Sequence, residues 1–252
     1  MSTNLTTLIN HLTDLLQPNL LPDYCVNGLQ VQGSKNISKI ATAVSASLST
    51  IQAAVEANVN ALIVHHGLFW DGDSPVVSGS KREKLLLLLQ NNISLLAYHL
   101  PLDAHQTVGN NWKAAQDLGW TNLQPFGLYK KNYIGVQGTF PAMPRSQFQK
   151  QLELYYAHPA TCALGGKELV SSAALISGGA YKSLSEAASA GIDCFITGNF
   201  DEPAWFQAFE TQTNFFALGH SATERVGPIA LQKHIENVLH VQTLFIDTPN
   251  PF

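Results

Sequence analysis

The stretch ANVNALIVHHG, residues 57–67, decides how this chain is read. An apolar run from Ala61 to Val64 follows a tight turn and has the length of a buried strand. It ends on two adjacent histidines, His65 and His66, and then on Gly67, which lets the backbone turn. The stretch AGIDCFIT, residues 190–197, has the same pattern of helix end, turn and apolar strand. A second pair of segments strengthens the parallel. HLPLD at 99–103 and HSATE at 220–224 each place a histidine at a strand end and a carboxylate four residues later. The chain therefore reads as a duplicated unit with two site loops.

Outward from these segments, strands and helices alternate. Leucines and Ile9 recur at helical spacing from Leu5 to Leu16 and stop at Pro18. Strands are predicted at 39–46, 61–64, 93–98, 132–140, 170–176, 192–197, 214–218 and 241–246. Helices are predicted at 49–58, 81–91, 110–118, 144–157, 181–190 and 203–212, with a long one from about Ala222 to Leu239. Pro101 makes 99–103 a predicted loop. This order argues for an α/β protein with layered sheets and helices. The best seam lies near Pro125, giving expected lobes at 1–124 and 125–252.

Composition narrows the function. Only 13% of the 252 residues are charged and the net charge is −4, with no basic run, so duplex nucleic acid is an unsuitable partner. Cys25, Cys162 and Cys194 are odd in number and widely spaced, which argues against a disulfide framework or a cysteine zinc knuckle. The N-terminus lacks the pattern of a signal peptide, and Leu85 to Leu89 is too short to span a bilayer. The expectation is a cytoplasmic protein with no membrane segment.

Five of the nine histidines (His65, His66, His99, His105 and His220) fall in three loops that follow predicted strands. Ligand sites in open α/β sheets gather beyond the carboxyl ends of strands. Imidazoles with Asp103 and Glu224 form a donor set suited to zinc, manganese, iron, cobalt or nickel. One histidine on an apolar strand is ordinarily a core residue; five with two acids favour a metal site. His105 is the weakest member and reads as a cap. Gly165-Gly166 and Gly178-Gly179 read as turns, since neither fits a phosphate-binding fingerprint.

The motifs HHGLFW (65–70), YHLPLDAH (98–105) with GNN (109–111), FITG (195–198) and GHSATER (219–225), preceded by NGLQVQG (27–33), closely resemble the NIF-three-like family. Its members are often labelled GTP cyclohydrolase 1 type 2 homologues. The resemblance spans almost the whole chain. It implies a NIF-three-like fold of two related α/β lobes, a dinuclear metal centre between them and a ring-shaped homohexamer. By matching motifs, the ligands to two divalent ions would be His65, His66, Asp103, His220 and Glu224. His99 would lie beside them as a supporting or proton-shuttling group. One departure stands out: where the family often carries an acid after Ile-Thr-Gly, this chain has Asn199, and Glu202 holds the later glutamate position. Asn199 keeps hydrogen bonding and loses a charge.

The resemblance implies a metal-dependent hydrolase acting on a nucleotide or related small molecule. Two bound cations lower the pKa of water toward neutrality and hold substrate oxygens. A cyclohydrolase would open the imidazole ring of GTP. The contrasting expectation is a non-enzymatic, ring-shaped metal-binding adaptor or regulator, since fold alone does not assign function.

Overall fold

The computed structural model describes residues 2–252, which divide into two compact units. The first takes the described residues up to Leu102 together with Gly227–Pro249, and the second takes Asp103–Val226 with Asn250–Phe252. The division falls at Leu102/Asp103, and the last long helix joins the first unit.

The first unit holds a five-stranded sheet in the order Gln242–Phe245, Lys39–Ser45, Ala61–His66, Ser94–Ala97 and Gly28–Val31. All neighbours run parallel except Gly28–Val31, which pairs antiparallel at the edge. Ile40 to Ala43 and Ala61 to Val64 are buried throughout, as a covered parallel sheet requires. The helix Leu5–Leu16 buries Leu5, Leu8, Leu12 and Leu16, one stripe at helical spacing. Each such side chain contributes roughly 1.5–3 kcal/mol. The Asn4 side chain caps this helix by accepting the Thr7 N–H at 2.8 Å.

The second unit holds a six-stranded sheet in the order Thr121–Tyr129, Asn132–Pro144, Leu169–Leu175, Cys194–Thr197, Asn214–Ala217 and Thr161–Leu164. The three strands from Leu169–Leu175 to Asn214–Ala217 are mutually parallel, and the others add antiparallel. Their inner face packs Trp120, Phe140, Phe148 and Phe216, with Phe140 and Phe148 stacked at 4.7 Å between centroids.

Beyond the two-residue strands Thr3–Asn4 and Asn36–Ile37, which pair with each other, sequence patterning missed three strands of the two large sheets, each at a sheet edge. Thr121–Tyr129 contains Pro125, which is tolerated because an edge strand has a neighbour on one side only. It returns through Lys130 and Lys131, both at positive φ (43° and 72°), a two-residue hairpin turn with no glycine or asparagine to announce it. Gly28–Val31 and Thr161–Leu164 are four-residue strands without clear alternation. A fourth difference concerns 99–103, expected as a loop. Leu100–Ala104 is a short helix, because Pro101 lies in the first turn, where its missing N–H is not needed.

The repeat seen in the sequence has a structural basis at the helix-to-strand joints. Asn58 (φ 53°) and Gly191 (φ 69°) both turn left-handed just after a helix. The next residue's N–H then reaches back to the helix, Val59 to the Ala54 carbonyl at 3.2 Å and Ile192 to the Ala187 carbonyl at 3.0 Å. The chain thereby enters the following strand through the same kind of turn in each unit. A Cβ at Gly191 would meet nothing within 4 Å. Gly191→Ala should therefore lower stability by backbone strain alone, about 1–2 kcal/mol, read as a lower midpoint in urea unfolding.

Candidate metal centre

In the first unit, Val64 and Ala97 are register partners on adjacent parallel strands, so His65-His66 and Tyr98-His99 leave the sheet side by side. The rings of His65 and His66 lie 4.6 Å apart between centroids, and His99 lies 4.9 Å from His65 and 5.6 Å from His66. One ligand nitrogen from each of the three lies within 4.8 Å of the others, so this trio could hold a metal ion.

The second unit gathers the other set. Leu175 pairs with Ile196 and Thr197 with Ala217, so the turns after these three parallel strands emerge together. They carry Ser177-Gly178, Gly198-Asn199 and Gly219-His220. His220 opens the short helix His220–Thr223, and Glu224 is its C-cap. Their side chains meet, His220 Nε2 to Glu224 Oε1, at 3.1 Å. An imidazole nitrogen and a carboxylate oxygen this close are a donor pair suited to one divalent cation. Asp103, 6% exposed, accepts from Asn110 Nδ2 at 2.8 Å and from the Ser177 hydroxyl at 2.9 Å. Glu224 is buried as well, at 3%.

The ring orientations carry the chemistry. His65 Nδ1–H donates to the Tyr98 carbonyl at 3.2 Å, and His99 Nδ1–H donates to Asp23 Oδ1 at 2.9 Å. His220 Nδ1–H donates to Asn199 Oδ1 at 3.2 Å, and His66 Nδ1 meets the Ser45 hydroxyl at 3.0 Å. A carbonyl, carboxylate or amide oxygen can only accept, so the neutral ring keeps its proton on Nδ1 and its lone pair on Nε2. This is how proteins orient metal-binding imidazoles. Asn199 thus keeps the hydrogen-bonding role expected of it, without the charge.

Two residues of this arrangement escaped the sequence reading. Asp23 accepts from the N–H groups of Tyr24, Cys25 and Leu100, from Asn27 Nδ2 and from His99. Burial alone would raise its pKa; the hydrogen bond and charge of His99 outweigh burial, with help from Asn27 and Cys25, and hold it at about 2. No spacing links residue 23 to residue 99; a lone aspartate before a tyrosine gives no signal. Gly178, read as a turn, adopts φ +67°, and a Cβ there would collide with Glu224 Oε1 and approach His220 Nε2 at 3.2 Å. The missing side chain leaves room for the acid and the imidazole. His105 acts as a cap, its Nδ1 accepting the N–H groups of Thr107 and Val108.

Fold and side chains define an α/β protein with imidazole and carboxylate clusters at strand ends. The chain belongs to the Duf34/NIF3 (NGG1p interacting factor 3) family, whose model matches residues 3–251. It is 53% identical over 251 residues to a protein of Chlamydia muridarum called GTP cyclohydrolase 1 type 2 homolog, covering 99% of this chain and 100% of that one. A solved structure described as protein ybgI, of unknown function, superposes with TM-score 0.93 at 36% identity, covering 99% of this chain and 100% of that chain. TTHA1606 from Thermus thermophilus superposes with TM-score 0.91 at 31% identity, over 99% and 100% of the two chains.

The depressed pKa of Asp23 makes a stability prediction. Its contribution is complete above the ordinary value of 3.8 and is lost as pH falls through about 2. Asp23→Asn should therefore be less stable than the parent at pH 5, and the gap should narrow steadily between pH 4 and pH 2 in urea titrations.

Proposed function

We propose that the protein is a dinuclear metal-dependent hydrolase acting on a nucleotide or related small molecule. The observation that carries this reading is the shared Nδ1 engagement of His65, His66, His99 and His220. In this reading His65, His66, Asp103, His220 and Glu224 hold two divalent ions. Such ions, when bound, supply Lewis acidity and a nucleophilic water near neutral pH.

The chain's own residues perform the remaining tasks. Asn110 and Ser177 orient the Asp103 carboxylate through one oxygen, which aims the other. Thr223 Oγ1 accepts the Gly178 N–H at 3.0 Å and donates to the Gly219 carbonyl, locking the turns that carry His220 and Glu224. His99 differs from the other three imidazoles in having a carboxylate, Asp23, as the partner of its Nδ1. That pairing suits it to take a proton at Nε2, with the resulting positive charge balanced by Asp23, as in a general base. His99 is therefore assigned to proton transfer and the other imidazoles to metal binding.

The family label makes ring opening of GTP the first reaction to test, ahead of other nucleotides. Assembly as a homohexamer is part of the same reading. Trp205, Phe206 and Phe209 lie exposed along the helix Glu202–Glu210, an apolar surface suited to self-association. The three cysteines are free thiols. No helix among the described residues is long and apolar enough to cross a membrane.

Elemental analysis of protein purified without chelator should give about two metal ions per chain. Asp103→Ala and Glu224→Ala should reduce that content and abolish turnover of GTP or of another nucleotide in a panel. His99→Gln should retain metal but lose at least about 100-fold in kcat, the usual scale of a general base. Metal-free parent protein, or an Asp103→Ala variant as active as the parent, would refute the assignment.

A further inference from the structure

Beside the histidine trio lies an aromatic pair that metal binding does not use. Tyr24 is 47% exposed, so burial does not explain why a large ring stands there. It is nevertheless held firmly. The Tyr24 carbonyl accepts the Asp71 N–H at 2.7 Å, and the Val26 N–H donates to the Phe69 carbonyl at 3.1 Å. Cys25 and Trp70 form an antiparallel bridge between these bonds, so the loops 23–27 and 67–72 are laced into one ribbon. The Trp70 indole N–H donates to the Gly67 carbonyl at 3.1 Å, which fixes the ring plane. As a result Tyr24 and Trp70 lie 5.5 Å apart between centroids, tilted by 35°. Both rings pack edge-on against His99, at 5.0 and 5.1 Å, and Trp70 also lies 5.9 Å from His66.

We infer that Tyr24 and Trp70 form a stacking platform for a planar heteroaromatic ring, such as a purine, next to the imidazole cluster. The inference deepens the nucleotide-hydrolase reading and rests on it for the reaction, although not for the binding measured below. An aromatic ring already ordered by its backbone loses little further entropy when a ligand stacks on it. Heteroaromatic bases gain from such contact because each presents a π-face, whereas a sugar or phosphate alone does not. The platform adjoins His99, so a ring stacked on it would reach the residue assigned to proton transfer. Asp23 ties the two features together: its carboxylate orients His99 while accepting the backbone N–H of Tyr24 at 2.7 Å.

The test uses the full chain and three probes: adenosine, guanosine and ribose. Titration should quench indole fluorescence with either nucleoside and not with ribose, and Trp70→Phe should remove the quenching. Tyr24→Leu should weaken nucleoside binding by about tenfold or more, the scale of one lost stacking contact, whereas Tyr24→Phe should bind as the parent does. Metal content should be the same in Tyr24→Leu as in the parent, which separates this outcome from loss of the metal site. Equal behaviour of nucleosides and ribose, or unchanged nucleoside affinity in Tyr24→Leu, overturns the platform. Nucleoside binding that depends on Tyr24 in a protein without metal upholds the platform and refutes the hydrolase reading instead.

Discussion

The candidate site depends on hydrogen bonds to the Nδ1 atoms of four imidazoles. A histidine ring has two nitrogens, and which one carries the proton decides what the other can do. Here the Tyr98 carbonyl, the Ser45 hydroxyl, the Asp23 carboxylate and the Asn199 amide oxygen each occupy an Nδ1. For His65, His99 and His220, whose partners can only accept, the lone pair is thereby left on Nε2. Oriented and partly buried rings avoid the reorganisation that a flexible histidine would undergo on binding a cation.

That orientation is inherited from the sheets. Parallel strands in register deliver their ends to one edge, so residues distant in the chain become neighbours there. In the first unit, two strands present three histidines. In the second, three strands present glycine-rich turns with His220 and Glu224. Gly178 shows how closely these turns are packed, since a single added carbon would occupy the place of the Glu224 carboxylate. The same crowding aligns Asp103, whose partner Ser177 precedes that glycine.

A carboxylate at Nδ1 separates His99 from the other three imidazoles, whose Nδ1 partners are neutral. Neutral acceptors hold a ring in one tautomer; a carboxylate also stabilises the protonated ring. Asp23 keeps its charge despite being buried, because five donors surround it. The loop that carries Asp23 also carries Tyr24, so proton handling and ring stacking are assigned to consecutive residues of one short ribbon.

Much of this was determined locally and could be read from the chain alone. The buried strands Ala61–His66 and Cys194–Thr197, the helix stripe from Leu5 to Leu16, and the two histidine–acid pairs four residues apart all follow from short-range pattern. The edge strand through Pro125 and the helix begun across Pro101 do not, because pairing partners and helix position overrule a proline's usual meaning. The roles of Asp23, Ser45 and Gly178 likewise became visible only once the strands had brought them to the groups they orient or make room for. Short-range periodicity encodes which residues are buried; which acceptor meets which Nδ1 depends on contacts separated by 21 to 76 positions along the chain, and only folding decides those.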